Sequence, residues 1–156
     1  VSPRLAAGKR GVDHDAMSDA ARRILLTILV LGIAGISLEL WLMTHTEDVY
    51  QQIPLWLAAA GIVTAMRVAV RPSITSVRLF QAVMALFLVS GVVGMVLHFQ
   101  VNIEFQKEMD AALSGLALYQ KAILAKSPPA LAPGAMIQLG LIGLAYTFRH
   151  PALAPA

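Results

Sequence analysis

Four stretches of the chain stay apolar for long enough to cross a bilayer, and polar clusters separate them. The first runs from about 24 to 44, ILLTILVLGIAGISLELWLMT, and contains one acid, Glu39. A helix needs roughly 20 residues to cross about 30 Å of hydrocarbon, and this stretch has the length. The second covers about 53–70, with Pro54 in its first turn, where a missing N–H costs least. Arg67 near its far end has a side chain long enough to reach the headgroups. The third covers about 79–99, LFQAVMALFLVSGVVGMVLHF, with only Gln81, Ser90 and His98 polar. The fourth, about 133–148, is the shortest and carries Gln138 near its middle.

Between the third and fourth stretches the pattern changes. Met109, Leu113, Leu116, Tyr119 and Ile123 recur at helical spacing, while Asp110, Ser114, Gln120 and Lys121 take much of the remainder. This predicts an amphipathic helix over about 104–125, lying along the membrane surface or against a partner. Ser127-Pro128-Pro129 ends it. Residues 1–20 mix glycine, acids and bases without an apolar period and predict a flexible tail; 151–156 form a second, short tail. Met17-Ser18-Asp19-Ala20, just before Arg22-Arg23 and the first span, reads as a natural initiation context. The apolar core that follows is too long for a cleaved secretory signal, and no small-x-small site follows it promptly. The expectation is an all-α integral membrane protein: a four-helix transmembrane bundle over 21–150 with an additional amphipathic outer-face helix.

Composition agrees. The chain has 156 residues, 58% of them apolar and 13% charged, with a mean hydropathy of +0.71. Soluble domains average roughly 45–50% apolar and 25% charged, and one this small could not hide so much apolar surface. The absence of cysteine excludes disulfides, thiolate metal sites and cysteine nucleophiles.

Charge supplies orientation. Arg4, Lys9, Arg10, Arg22, Arg23, Arg67, Arg71, Arg78 and Arg149 fall on one side of the spans, and Lys107, Lys121 and Lys126 on the other. Cations favour the cytoplasmic side, so both termini are expected there, in a multi-pass protein of a bacterial inner membrane. The acids Glu39, Glu47, Asp48, Glu104, Glu108 and Asp110 gather toward the outside. Topology and anionic-lipid contacts account for the basic balance, and no nucleic-acid partner is expected.

The candidate chemistry sits at the outer boundary. Glu39 lies within a span, where a carboxyl group marks a proton or ion site or a polar helix–helix contact. His45 and His98 close the first and third spans; with Glu39 and Glu104 they make a nitrogen–oxygen set suited to a divalent metal. Residues 39 and 45, six apart, lie about 120° apart on a regular helix, which opposes a shared ligand set. Gly94-Met-Val-Leu-His98 resembles, over five residues, the small-xxx-His pattern of light-harvesting helices, which implies His98 as a ligand to haem or a chlorin pigment. The alternative is that Ser90 and Gly94 form a small-residue contact surface. Similar small residues recur as Gly32, Gly35, Gly61, Gly134, Gly140 and Gly143. No Gly-rich phosphate loop and no G-x-S-x-G elbow occurs.

The expected role is a non-catalytic small subunit or interaction partner in a larger, energy-transducing membrane complex. It would contact the lipid bilayer and either other membrane subunits or further copies of itself, with Met109, Leu113, Leu116, Tyr119 and Ile123 as the docking face. The competing expectations are an ion- or metal-handling protein with an outer Glu/His site, and a pigment- or haem-contacting subunit or metal-dependent membrane enzyme.

Overall fold

The computed structural model describes residues 3–43, 48–125 and 131–154, and among these it contains helices and no strand. The elements are α1 (Pro3–Leu42), α2 (Val49–Val70), α3 (Ile74–Met109), α4 (Gly115–Ile123), α5 (Leu131–Tyr146) and a short 3-10 turn at Pro151–Leu153. Three are long and apolar enough to cross a membrane: Asp19–Leu42 within α1, then α2 and α3. α5 is apolar but has 16 residues, a length of about 24 Å.

α3 is the central helix. Its Val77, Phe80, Met84 and Phe87 are fully buried and share one core with Leu29, Ile33, Ile36 and Leu40 of α1, Ala58, Ala65 and Val68 of α2, and Met136 and Leu139 of α5; α1 joins this core by packing against α2 and α5. The α1 residues recur at helical spacing and form one stripe. The opposite faces are also apolar: Leu31, Leu38, Trp56, Val63, Val89 and Val92 are exposed. A surface of this kind suits contact with a lipid bilayer.

Close backbone approach holds α5 against α3. A Cβ added at Gly91 would stand 2.6 Å from the Pro133 carbonyl oxygen, and one at Gly140 would stand 2.8 Å from that of Met84. Inside lipid there is no hydrophobic drive between helices, so such contacts do the joining. Gly32 likewise packs on Leu139 and Gly61 on Phe87 and Ile33, whereas Gly35 and Gly134 face open space.

The α2–α3 connection is short and well capped. Ser73 is the N-cap of α3, its hydroxyl accepting from the Ser76 N–H at 3.1 Å. The Ser76 hydroxyl in turn accepts from the Ser73 N–H at 2.8 Å. This reciprocal pair satisfies donors that the helix start leaves free.

Two sequence expectations are corrected here. The third apolar element is longer than 79–99: α3 begins at Ile74 and continues through Met109 as 36 residues, about 54 Å. The single outer helix over 104–125 is instead the end of α3, a turn at 110–114, and α4. The Asp110 carboxylate accepts from the Ala112 N–H at 3.1 Å, and its carbonyl accepts from the Leu113 N–H at 3.0 Å. An aspartate bonding its own following backbone favours a turn over a helix. Gly115 then takes φ +59°, a left-handed conformation that a side chain resists. The terminating Ser127-Pro128-Pro129 lies outside the described residues. At the other end of the chain, helical backbone begins at Pro3, well before the apolar pattern starts. Extending a formed helix is far less costly than nucleating one.

Candidate functional site

At the end of the helices where α3 runs on past α1, α4 is fastened to the extension of α3. Leu118 and Ala122 are buried. The Phe99 and Tyr119 rings stack at 6.0 Å with 21° between planes, and Asn102 donates its side-chain N–H to the Ala122 carbonyl at 3.1 Å. The turn at 110–114 separates α4 from the end of α3. The five-residue docking face therefore does not form one continuous stripe. Met109 ends α3 and Leu113 lies in the turn. On α4 itself, Leu116, Tyr119 and Ile123 remain exposed, Tyr119 while stacked on Phe99. An open groove of about 520 Å³ lies on α4 against Gln106 of α3, lined further by Ala117, Gln120, Lys121, Leu124 and Ala125.

The metal candidates are distributed as follows. Glu39 is exposed on α1, His98 is half-buried on α3, and Glu104 is exposed on α3. Glu104 follows His98 by six residues, which separates them by about 120° around the helix and about 9 Å along it. Among the described residues, no group of three or more His, Cys, Asp or Glu comes together to hold a metal ion. His45 lies outside the described residues. The space beside Gly94 is taken by α5: an added Cβ would meet the Pro133 ring at 3.3 Å.

The most connected polar cluster is at the opposite end, and the sequence pattern did not reveal it. Arg22 of α1 donates to the Arg149 carbonyl at 2.7 Å and the Phe148 carbonyl at 3.4 Å. It also pairs with Asp19 at 3.4 Å. Its guanidinium thus ties α1 to the chain that follows α5. Arg149 adopts φ +50°, and its own guanidinium lies over the Phe148 ring at 5.4 Å. One turn inward, Gln81 of α3 donates to the Thr147 hydroxyl at 3.1 Å, which donates to the Leu144 carbonyl at 2.8 Å. Tyr146 packs edge-on against Phe80 at 5.7 Å and lies 5.8 Å from the His150 ring. His150 is buried, and its Nδ1 accepts from the Ala152 N–H at 3.2 Å, capping the 3-10 turn. These groups satisfy one another within the fold. None forms a nucleophile–base pair, and their chemistry is that of a latch. The readable signals were Arg22 just below the first span and Gln81, a lone amide near the start of the third.

Burial, and to a lesser extent the nearby Arg22 charge, hold the His150 pKa below its ordinary 6.5. The ring is therefore neutral in the fold, as an Nδ1 acceptor must be. A histidine with a depressed folded pKa binds fewer protons folded than unfolded, so stability falls as pH drops below about 6.5 and stops falling below the folded pKa, where the full cost of the shift is reached. Amide exchange over Pro151–Ala154 is expected to speed up between pH 7.5 and 5 by more than its intrinsic pH dependence. His150→Asn, which keeps a capping oxygen but does not titrate, should remove that excess.

Compared with known proteins, the chain matches no family model, no curated protein and no solved structure.

Proposed function

We propose that the protein is a non-catalytic, four-span membrane subunit that docks to other subunits of a larger, energy-transducing complex. In this reading both termini are cytoplasmic, α4 lies at the outer face, and α5 serves as the fourth span. The exposed apolar side of α4 carries the proposal. Leu116, Ile123 and Leu124 are 73%, 55% and 83% exposed on an element already anchored to α3. Exposed apolar surface near a groove that mixes Gln106, Gln120 and Lys121 with Ala117, Leu124 and Ala125 is the composition of a partner interface. The distribution of charge supports the orientation: Arg22, Arg23, Arg67, Arg71, Arg78 and Arg149 lie near one end of the helices, and Lys107 and Lys121 near the other. A bacterial inner membrane is the setting in which this rule applies most directly. A helix of α5's length can span where the bilayer thins or its flanking residues sit in the interface.

Extraction from native membranes in mild detergent tests the reading. The protein should migrate with partners at fixed stoichiometry. The double substitution Leu116→Ser with Ile123→Ser should reduce recovered partner by roughly tenfold, the value of one buried anchor, without changing the helical content. A solitary, fully helical protein would overturn the proposal.

A further inference from the structure

We infer that the outward face of α1 at Gly35 and Glu39 is a docking surface for a transmembrane helix of a different subunit, one carrying a lysine or arginine at the same depth. The inference rests on the subunit reading and identifies a second contact, within the bilayer.

Glu39 lies sixteen residues beyond Arg23, about 24 Å along the helix, which places it in the outer third of the span. Leu29, Ile33, Ile36 and Leu40 turn inward, and Leu38, Trp41 and Leu42 around Glu39 are exposed. Glu39 is exposed too, and among the described residues its carboxyl group has neither a hydrogen-bond nor an ion-pair partner. A carboxyl group on a lipid-facing surface is costly and calls for a pairing group. One turn earlier on the same side, Gly35 is an open notch, since an added Cβ there would meet nothing within 4 Å. Gly32 has its space filled by Leu139, so the notch at Gly35 is free for an outside helix. A small residue that admits a close backbone and a polar group one turn away together make a transmembrane helix contact.

Charge decides what occupies it. From Arg22 onward, the described cations of this chain lie near one end of the helices (Arg22, Arg23, Arg67, Arg71, Arg78, Arg149) or on α3's extension and α4 (Lys107, Lys121), and Arg4, Lys9 and Arg10 precede them on α1. A second copy inserted in the same direction has none of these at the depth of Glu39, and contact through α1 would set Glu39 against Glu39. The complement is a basic side chain on another subunit.

The full chain in phosphatidylcholine vesicles, with fluorescent polyleucine transmembrane peptides, tests this by energy transfer. One peptide carries an arginine in the outer third, one in the inner third, and one carries none. The outer-third peptide should associate roughly tenfold more tightly than the others. Glu39→Leu should abolish that preference, and Gly35→Leu should weaken it by blocking close approach, both on a surface that leaves the core intact. Equal binding of the three peptides, a preference that survives Glu39→Leu, or Glu39-dependent transfer between copies of the protein would each overturn the inference. The outcome is separable from the subunit reading: solitary migration from native membranes sinks that reading, whereas the peptide preference reports on this surface alone.

Discussion

Replacing Gly140 with valine should drive α5 off α3 and lower the stability of the bundle by about 1–3 kcal/mol, the usual cost of overpacking a filled interior. The reason is the identity of the obstructing atoms. A Cβ at this position would stand 2.8 Å from the Met84 carbonyl oxygen and 2.9 Å from Leu88 Cδ2. The leucine can change rotamer, but the carbonyl belongs to the α3 backbone and moves only if the helix moves. Gly91→Val on the facing helix should behave alike, because it would collide with the Pro133 carbonyl at 2.6 Å. Gly134→Val supplies the control, since nothing lies within 4 Å of an added Cβ there. It should shift stability by less than about 0.5 kcal/mol, as surface substitutions generally do. Unfolding followed by circular dichroism in mixed micelles would separate the three. Equal midpoints for Gly140→Val and Gly134→Val would mean that the close seam contributes nothing to holding α5.

Three long apolar helices, compatible with crossing a membrane, were legible because lipid leaves a chain few options. Backbone groups must bond within their own segment, and the apolar runs of α1, α2 and α3 show this directly. Which side of each helix faces the core was not legible, for the same reason. Leu29 and Leu31 are the same residue type two positions apart, yet one is fully buried and the other is 67% exposed. Lipid tails are as apolar as leucine, so hydrophobic periodicity cannot distinguish them. The glycines carried more information, since a missing side chain marks a place where backbones meet, although Gly35 and Gly134 show that not every one is used. The outer helix was misread because its apolar spacing happened to continue across a break. Asp110 and Gly115 were the visible turn residues, and their local geometry prevailed over the period. Among the candidate ligands, the separation of His98 from Glu104 could be read from spacing alone. The latch around Arg22 and Thr147 could not. Gln81 and Thr147 are 66 positions apart and Arg22 and Arg149 are 127 apart, so no local pattern joins them, and counting Arg22 as a topological cation concealed its second role.

Arg22→Ala should release the chain beyond α5 and cost about 1–2 kcal/mol, somewhat below the usual value for hydrogen bonds to a charged group because the side chain retains 17% exposure. The guanidinium fork reaches the carbonyls of Phe148 and Arg149, which lie just past the end of α5. A cation there also opposes the negative end of the helix dipole. The same contact helps to hold Arg149 at φ +50°, a conformation that non-glycine residues adopt only when their surroundings require it. Lysine at position 22 should restore less than half of the loss, because a point charge cannot serve two carbonyls with fixed geometry. Arg149→Gly should act oppositely and stabilise slightly, since the latch uses that residue's carbonyl rather than its side chain. The decisive readout is local: amide protection over Thr147–Ala154 should collapse in Arg22→Ala while protection in the centre of α3 persists. If protection at both places stays at the wild-type level, Arg22 acts only as a charge that orients the chain in the membrane, and the C-terminal turn is held by Gln81, Tyr146 and His150 alone.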